Sequence, residues 1–480
     1  MQPKLQDPSL LKLNVGFIND EWVPARSGKT FEVHDPATRF LVGTCPEFTK
    51  AETNEAILAA RDAFSKFHLQ TGRQRSRILR RWYDEVMANA DDLAILITWE
   101  NGKPLNDAKA EIAYAAGFLE WFSEEAARIY GDTIQGSNPT HRMITYKEPI
   151  GVCGLITPWN FPAAMITRKV APALAAGCTV VCKAPGETPF TALALMELAC
   201  RAGLPPGVLN MITALDNTIE IGHMLTTSPL IDKVSFTGST NVGKILMKQS
   251  SYTLKKLSME LGGNAPFIVF EDADFDAAIA GAIIAKFRSS GQTCVCANRI
   301  YVQAGMYERF VKAFTEKVKS FKVGNGFDAA TTHGPLVQAR AVEKVDSHVR
   351  DAVKKGGKIT VGGHGLSLGP AFYAPTVIRD MTADMDIARE ETFGPVAGIF
   401  SFTTEEEVVK LANNTSIFRV AESLKIGMVG VNTGVISDPA SPFGGVKESG
   451  FGREGSKYGL AEFQVIKTVT FGGMGKTLKI

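Results

Sequence analysis

Between residues 151 and 239 the chain repeats one pattern, a short β-rich apolar run followed by a helical segment. The apolar runs read GVCGLITP, CTVVCKAP, VLNMITA and DKVSFTGS, and segments such as AMITRKVAPALAAG and TALALMELACRAG lie between them. Strands that alternate with helices predict a parallel sheet whose crossover helices cover its faces. The sequence therefore predicts an α/β fold. A second pattern of this kind begins at APFIVFEDAD and continues through RIYVQA.

Length and charge narrow the class of protein further. A chain of 480 residues exceeds one compact core, so we expect two or three domains. The formal net charge is only +2 and no long lysine or arginine run is present, which argues against nucleic acid and membrane surfaces as partners. No apolar run reaches membrane-spanning length, and the first twenty residues resemble neither a secretory signal nor an organelle presequence. We expect a cytoplasmic location and leave a mitochondrial one open.

The seven cysteines and seven histidines bear on metal and disulfide chemistry. The cysteines are irregularly spaced, with no Cys-x-x-Cys, and the histidines form no pattern of metal-ligand spacing. We therefore expect no disulfide framework and no metal site. The stretch GQTCVCANR remains to be explained, because it places Cys294 and Cys296 on either side of one valine.

Three loops leave successive predicted strands at their carboxyl ends, with the sequences TPWNFP, KAPGETP and FTGST. Parallel sheets bind ligands at this edge. A helix opening at Ser239 offers free amides to a pyrophosphate, although an ordinary capped helix explains the same residue. The nearby GSTNVGKI differs from a P-loop because Ile245 stands where a magnesium-binding hydroxyl is required, which argues against a nucleoside triphosphatase.

Several longer motifs follow one another in a specific order. Glu260 lies in MELGGN, Cys294 follows in GQTC, and then come EETFGP and SPFGGVKESGFGREG. From about Gly16 to the end of the chain, this order resembles that of the aldehyde dehydrogenases. Within that family the sequence is most similar to the succinate-semialdehyde dehydrogenases.

The resemblance implies a catalytic set of three residues. Cys294 attacks the aldehyde carbon as a thiolate, and the side-chain amide of Asn160 and the backbone N–H of the cysteine donate hydrogen bonds to the resulting oxyanion. Hydride leaves to the nicotinamide, and Glu260 then activates the water that hydrolyses the thioester. Taken singly, each of these residues has an ordinary structural explanation.

For the cofactor, the resemblance implies NAD or NADP. It assigns Lys183 to the adenosine ribose, Glu391 to the nicotinamide ribose and Phe393 to the nicotinamide itself. The other cofactor-contacting positions that it implies are Thr157, Pro158, Trp159, Gly186, Glu187, Gly238 and Ser239. Many NAD-preferring relatives carry an acidic residue where this chain has Gly186, and its absence removes repulsion against a 2′-phosphate. Glu187 follows directly and restores NAD preference if it turns inward, so the choice stays open.

Two arginines bear on the substrate. Arg168 lies eight residues after Asn160, and Arg288 lies six before Cys294. Succinate-semialdehyde dehydrogenases carry arginines at matching places, with a serine that matches Ser441, and these hold the carboxylate remote from the aldehyde. The planar, permanently charged guanidinium suits this task. The resemblance thus implies oxidation of succinate semialdehyde to succinate, as in 4-aminobutyrate degradation, or of another small ω-carboxy aldehyde such as glutarate semialdehyde.

Cys296 has two interpretations. The same Cys-x-Cys occurs in succinate-semialdehyde dehydrogenases, where the pair resembles a redox switch, and a bent loop would allow the bond between Cys294 and Cys296. We therefore predict reversible oxidative inactivation. The alternative is that Cys296 is a small packing residue.

The family fold implies three parts and a homo-oligomer, either a dimer or a tetramer. The three predicted parts are a Rossmann-type nucleotide-binding domain at 1–130 and 149–258, a catalytic domain at 259–433, and an oligomerisation element at 131–148 and 465–480. A returning segment at 434–464 is expected to line the active site. Exposed strand edges invite pairing between subunits.

One stretch breaks the alternation. GPVAGIFSF predicts a strand and TEEEVVKLANNT a helix, but a second helix, SIFRVAESLKIG, follows at once before the predicted strand MVGVN. Two helices in succession depart from a parallel sheet, so we predict a deletion of roughly fifteen residues after Thr415, about one strand and part of a helix. A second hypothesis follows, namely a catalytically impaired homologue that binds nucleotide or assembles with intact subunits.

Overall fold

The computed structural model describes residues 3–412 and 426–474. Its α-helices are α1 Lys50–Phe67, α2 Gly72–Ala88, α3 Ala90–Asn101, α4 Leu105–Glu125, α5 Ala164–Ala176, α6 Pro189–Arg201, α7 Thr218–Thr227, α8 Thr240–Ser250, α9 Phe275–Phe287, α10 Tyr307–Lys319, α11 Ala339–Lys354, α12 Asp386–Arg389, α13 Glu405–Ala412 and α14 Ser456–Ala461. Its strands are β1 Gly16–Ile18, β2 Glu21–Val23, β3 Thr30–His34, β4 Leu41–Pro46, β5 Thr133–Ile134, β6 Arg142–Pro149, β7 Val152–Ile156, β8 Thr179–Lys183, β9 Leu209–Ile212, β10 Lys233–Thr237, β11 Lys256–Glu260, β12 Ala265–Val269, β13 Ala297–Gln303, β14 Lys358–Val361, β15 Thr376–Arg379, β16 Val396–Phe402, β17 Gly450–Phe451 and β18 Gln464–Phe471.

The repeated pattern of the first sheet forms as predicted. Eight strands pair in the order β17-β11-β10-β7-β8-β9-β1-β2, and the five from β11 to β9 are parallel. One hydrophobic core lies on each face, with Cys153 and Leu155 of β7 in one and Val152 and Ile156 in the other. With a core on each face, the central strands β7 to β10 are buried along their whole length, and the α/β prediction is confirmed.

The second sheet has five strands in the order β12-β13-β16-β15-β14. Within the described residues β12 is an edge strand, and four of its five residues are partly exposed. The prediction of a strand at MVGVN is wrong, because Met428–Asn432 form no strand and pair with none among residues 3–412 and 426–474, and Val429 and Val431 are exposed. A strand needs a neighbour to satisfy its amides and carbonyls, and apolar content alone supplies none. The predicted deletion after Thr415 lies outside the described residues.

A small three-stranded sheet is ordered β18-β6-β5. β18 pairs antiparallel with β6 from Gln464 opposite Pro149 to Phe471 opposite Arg142. The oligomerisation role of these strands and the domain boundaries remain predictions. In the part of the chain described, no helix has the length and apolar character needed to cross a bilayer.

Two helices that follow strands of the first sheet lie next to the predicted site residues. α5 follows β7, and every one of its residues is buried, including the charged Arg168 and Lys169, which therefore need partners. α8 follows β10 and begins after Ser239, whose side chain accepts the Val242 N–H at 3.4 Å. Ser239 is thus the N-cap that the sequence predicts.

Candidate active site

The carboxyl edge of the first sheet gathers several of the predicted site residues. Asn160 follows β7, Lys183 ends β8, Ser239 follows β10 and Glu260 ends β11. In a parallel sheet these strand ends lie side by side, and β7 pairs with both β8 and β10 while β10 pairs with β11. Residues separated by up to a hundred positions are thereby brought to one edge.

Cys294 lies in a turn that precedes β13 in the second sheet, and its side chain is partly exposed. The approach to this turn is tightly bent, because Ser289, Ser290 and Gly291 all have left-handed φ angles, of 53°, 55° and 76°. A Cβ on Gly291 would lie 2.1 Å from the carbonyl oxygen of Gly394, so only glycine fits there.

Gln292 ties this loop to its surroundings. Its side-chain Oε1 accepts the Val337 N–H at 3.0 Å, and its Nε2 donates to the Pro335 carbonyl at 3.4 Å. The Gln292 carbonyl in turn accepts a hydrogen bond from Asn160 Nδ2 at 3.2 Å. This bond joins the cysteine loop to the carboxyl edge of the first sheet, so the structure brings Asn160 and the Cys294 loop together.

Burial controls the charge of the cysteine. Burial raises the pKa of the Cys294 thiol to about 12, Arg168 acts in the opposite direction, and the carboxyls of Glu391 and Glu260 raise it further. The resting residue is therefore a thiol, and it must lose its proton before it acts as a nucleophile.

Glu260 is also protonated at neutral pH. Burial, with repulsion from Glu454, raises the pKa of Glu260 to about 8, whereas Arg168 and Lys169 lower it. Its Oε1 is buried without a hydrogen-bond partner among the described residues, and a Cβ on Gly444 would lie 2.9 Å from that oxygen. A buried carboxyl whose pKa lies near the working pH suits proton transfer.

Arg168 does not stand free, as a simple carboxylate receptor would. It is 2% exposed, its Nε forms a short ion pair with Glu454 Oε2, and its guanidinium carbon lies 4.4 Å from the centre of the Phe443 ring. Lys169 pairs with the other oxygen of Glu454 and donates to Ser235 Oγ at 3.0 Å. The Nη2 of Arg168 remains buried with no hydrogen-bond partner in the described structure.

Arg288 and Ser441 are both partly exposed. Arg288 lies with its guanidinium carbon 5.2 Å from the centre of the Phe161 ring, one residue after Asn160. The Ser441 N–H donates to the Asp438 carbonyl at 3.0 Å. Ser441 also lines a cavity, together with residues 427–430, 435–438 and 442.

Tyr114 of α4 was missed by the sequence reasoning, because it belongs to no motif. Burial raises the pKa of its phenol, while Arg168, the side chain of Ser437 and Arg288 act in the opposite direction. Tyr114 is therefore close enough to both arginines to sense their charge. Glu454 was also missed as a site residue, although the motif GREG contains it.

The cofactor positions lie along the same edge. Lys183 is buried, and burial lowers its pKa to about 8 despite the opposing charges of Glu187 and Glu47. The Thr157 hydroxyl donates to the Lys183 carbonyl at 3.3 Å. Thr237 Oγ1, at the end of β10, is buried without a partner in the described residues and is free to bind a ligand oxygen.

The carboxylate of Glu187 is engaged by two other side chains. Its Oε1 accepts from Gln338 Nε2 at 2.8 Å and lies 3.8 Å from Arg340 Nη2. At Gly186, a Cβ would lie 2.7 Å from Leu215 Cδ1. At Gly238, a Cβ would lie 2.4 Å from the Phe236 ring, so a side chain there would displace that ring.

The nicotinamide positions come from the second sheet. Burial raises the pKa of Glu391 to about 7, and Lys286, Lys344 and the Gly263 N–H oppose this. Phe393 contacts Trp159 edge to face, with ring centres 5.7 Å apart, and Pro158 precedes that tryptophan in the partly exposed turn after β7. Glu391 and Phe393 thus lie across from the first-sheet residues.

The companion cysteine is buried. Cys296 Sγ lies 3.4 Å from the Lys286 carbonyl, and the thiols of Cys294 and Cys296 are both free in this structure. Within residues 3–412 and 426–474, no three His, Cys, Asp or Glu side chains form a group suited to a metal ion.

Comparison with known proteins identifies the family of this chain. Residues 22–469 match the model of the aldehyde dehydrogenase family. The chain is 56% identical to succinate-semialdehyde dehydrogenase [NADP(+)] 1 of Schizosaccharomyces pombe, over 98% of each chain, and 50% identical to glutarate-semialdehyde dehydrogenase of Pseudomonas aeruginosa, over 98% of this chain and all of that one. A crystal structure of succinate-semialdehyde dehydrogenase from Burkholderia pseudomallei superposes with a TM-score of 0.96 at 51% identity, covering 98% of this chain and 100% of that one.

The alignment with the Schizosaccharomyces pombe relative spans 489 positions, more than the 480 residues of this chain. That relative therefore contains positions that this chain lacks. The matches nevertheless extend over nearly the whole of both chains, and the chain belongs to the aldehyde dehydrogenase family.

Proposed function

We propose that this protein oxidises succinate semialdehyde to succinate with NAD or NADP. The observation that carries the proposal is Arg168, a buried guanidinium that acts electrostatically on Cys294 and keeps one nitrogen, Nη2, without a partner in the described residues. A buried permanent cation with an open donor is suited to the far carboxylate of a short substrate. Relatives named for succinate-semialdehyde dehydrogenase support the same substrate.

The proposed chemistry begins at Cys294. Its thiol transfers a proton to water, the sulfur forms a bond to the aldehyde carbon, and the carbonyl electrons move to the oxygen. Asn160 Nδ2 exchanges its bond to the Gln292 carbonyl for one to this oxyanion, assisted by the Cys294 N–H. The carbon is left as a thioester once hydride has departed. The carboxylate of Glu260 then removes a proton from water, which attacks the thioester and releases the acid and the thiol.

A nicotinamide cofactor, when bound, supplies the hydride acceptor for this reaction. The residues present fit such a group, because Lys183 and the unpartnered Thr237 hydroxyl offer polar groups at one sheet edge and Gly238 lies between that hydroxyl and the capped start of α8. Gly186 offers no carboxylate to repel a 2′-phosphate, and Glu187 is engaged with Gln338. We therefore propose that NADP is accepted, which the NADP(+) in the names of several relatives also supports.

The substrate carboxylate would lie between the two arginines. Arg168 comes from α5 and Arg288 from the cysteine loop, and both act on Tyr114. We propose that Arg168, Arg288 and Ser441 bind the carboxylate, with Tyr114 beside them. A glutarate semialdehyde is one methylene longer, and a relative named for that substrate makes it the direct competitor to test.

A second candidate function is an impaired homologue that binds nucleotide or joins intact subunits. It is favoured by Val429 and Val431, which are exposed and belong to no strand of the described structure, and by the relative's longer alignment. We also propose a homo-oligomer, because Ile466 is 70% exposed on the outer strand β18 and a partner would cover it. Light scattering on the purified chain would measure its subunit number.

The decisive experiment measures formation of reduced cofactor by the purified chain, with NAD and NADP in separate reactions. Succinate semialdehyde, glutarate semialdehyde and butanal serve as substrates, and Cys294→Ala serves as the control. Turnover of succinate semialdehyde that disappears in Cys294→Ala is expected. A folded protein that binds NADP but turns over none of the three aldehydes would support the second candidate instead.

A further inference from the structure

A buried ion pair lies behind the active site, where α3 ends and α4 begins. Gly102 ends α3 in a left-handed conformation, with φ 85°, and Lys103 follows it. Lys103 Nζ lies 2.5 Å from Glu111 Oε2, and their side chains are 2% and 0% exposed. A buried charge pair is retained at a cost in desolvation, so its other contacts are informative.

The other side-chain hydrogen bonds of this pair in the described structure, and its ring contact, go to the chain around Asn160. Lys103 Nζ donates to the Asn160 carbonyl at 2.8 Å, and its ammonium lies 4.2 Å from the centre of the Phe161 ring. Glu111 Oε1 accepts the N–H groups of Ala163 and Ala164, at 2.9 and 3.4 Å, where α5 begins. The ion pair therefore grips the backbone on both sides of the turn that presents Asn160.

Two neighbouring residues, on α3 and α4, make further hydrogen bonds to the same region. Asn101 Nδ2 donates to the Trp159 carbonyl at 3.0 Å, so the residue before Asn160 is held as well. Asp107 Oδ2 accepts the Ser289 N–H at 3.4 Å, which reaches the loop that carries Cys294. Residues 101–111 thus contact both the turn that presents Asn160 and the loop that carries Cys294, the two segments that together stabilise the oxyanion.

We infer that Lys103 and Glu111 are positioning residues for Asn160, an inference that rests on the proposed oxidation at Cys294. The amide of Asn160 acts only if it points at the oxyanion, and its direction follows from the backbone that Lys103 holds. Neither Lys103 nor Glu111 contacts the substrate. An active-site donor displaced by about 1 Å loses on the order of a hundredfold in rate.

A double-mutant cycle tests this coupling. Lys103→Met, which removes the ammonium and keeps most of the side-chain volume, is expected to lower kcat/KM for succinate semialdehyde roughly 30-fold. In an Asn160→Ala background, where the oxyanion donor is already absent, the same substitution is expected to lower it by less than about 3-fold. Equal losses in both backgrounds would overturn the inference, because the effect would then bypass Asn160.

Two measurements separate positioning from damage to the fold. Alkylation of Cys294 by iodoacetamide needs no oxyanion donor, so its rate in Lys103→Met is expected to match the wild type, and a parallel loss would mean general disruption. Lys109→Met is the matched control, because Lys109 lies on α4 but is half exposed and pairs only with Asp91 among the described contacts. It is expected to leave kcat/KM unchanged, and a loss there comparable to that of Lys103→Met would contradict the inference.

A second variant covers the case in which an unpaired Glu111 unfolds the protein. Lys103→Met with Glu111→Gln removes both charges together, so no buried charge is left alone. It is expected to fold and to stay roughly 30-fold slow, because the Asn160 carbonyl still lacks its donor. Full activity in this double variant would overturn the inference. Absence of turnover in the wild type would instead refute the proposed function, which keeps the two failures distinct.

Discussion

The two walls of the active site are built in opposite ways. The first wall is the carboxyl edge of the eight-stranded sheet, with Asn160, Lys183 and Glu260 at or just after strand ends. The second wall lies at the amino ends of strands in the five-stranded sheet, because Cys294 precedes β13 and Glu391 precedes β16. Ligands in α/β sheets usually lie at the carboxyl ends, so only the first wall follows that rule.

The difference shows how each wall holds its side chains. On the first wall, buried parallel strands fix the backbone, and the functional residues at the strand ends are held in place by that backbone. On the second wall, a bent loop depends on particular contacts, which include the left-handed Gly291 and the side-chain bonds of Gln292. A substitution on the first wall should therefore change the chemistry of the site without moving its backbone. A substitution in the loop of the second wall should move the backbone as well.

Glu260 tests the first wall and should give the largest effect. Glu260→Gln keeps the shape but removes the base, so we expect kcat to fall on the order of 1,000-fold while the thioester accumulates. The wild-type kcat should rise with pH through about 8, because burial raises the pKa of this carboxyl and only its ionised form accepts a proton. In Glu260→Gln that rise should be absent.

The measurement is intact-protein mass after mixing with substrate and cofactor, together with kcat at several pH values. Glu316→Gln is the control, since Glu316 is an exposed glutamate on α10 paired with Lys319. Rapid turnover by Glu260→Gln with an unchanged pH profile would assign the base to another group.

Gly291 tests the second wall. Gly291→Ala places a Cβ against the Gly394 carbonyl at a left-handed φ, so the loop must move and Cys294 with it. We expect kcat/KM to fall roughly 100-fold, the loss expected from a displacement of about 1 Å. The matched control is Gly28→Ala, where φ is 69° but nothing lies within 4 Å of the added carbon.

Both variants carry a similar backbone penalty, of about 1–2 kcal/mol for a non-glycine residue in this conformation. Thermal unfolding should therefore shift in each, whereas activity should fall only in Gly291→Ala. Activity that survives in Gly291→Ala would mean that the cysteine loop is not fixed by this contact.

The two walls also differ in how far the sequence predicts them. Alternating apolar runs predicted β7 to β10 and the helices between them, because a buried parallel strand and its crossover helix leave distinct patterns. No pattern marks the amino end of a strand as a site, so Cys294 was found only through its family motif. The same patterns failed at Met428–Asn432, where apolar content predicted a strand and the described structure contains none.

Partners of charged residues were the other failure. The sequence assigned Arg168 to the substrate alone, but the structure shows that its Nε is paired with Glu454, almost three hundred positions away. A contact between side chains that far apart depends on the packing of α5 against the returning segment. The sequence could not have predicted Lys103 and Glu111 beneath Asn160 for the same reason.

A smaller effect is expected for Arg288, the arginine that the second wall contributes. Arg288→Met should lower kcat/KM for succinate semialdehyde roughly 30-fold, the value of one hydrogen bond to a charged group. Butanal, which lacks the carboxylate, should be oxidised at an unchanged rate. Arg309→Met is the control, because Arg309 also lies over an aromatic ring, that of Phe275, but on the surface. Equal losses for both aldehydes would remove Arg288 from carboxylate binding.

Cys296, next to the second wall's nucleophile, should have the smallest effect on turnover. Its thiol is buried and lies 3.4 Å from the Lys286 carbonyl, so Cys296→Ala removes little and kcat should stay within about 2-fold of the wild type. Peroxide should oxidise the wild-type pair to a disulfide, with loss of two hydrogens to form water, and dithiothreitol should restore activity.

In Cys296→Ala, the Cys294 sulfenic acid lacks the thiol two residues away with which the wild type would condense. Sustained peroxide should then carry it to the sulfinic acid, which dithiothreitol does not reduce. Peptide mass spectrometry and recovered activity would distinguish the two products, with Cys200→Ala, a partly buried cysteine on α6, as the control. Equal recovery in Cys296→Ala and the wild type would leave Cys296 as a packing residue. The second wall would then contain a single reactive thiol, held in place by the loop alone.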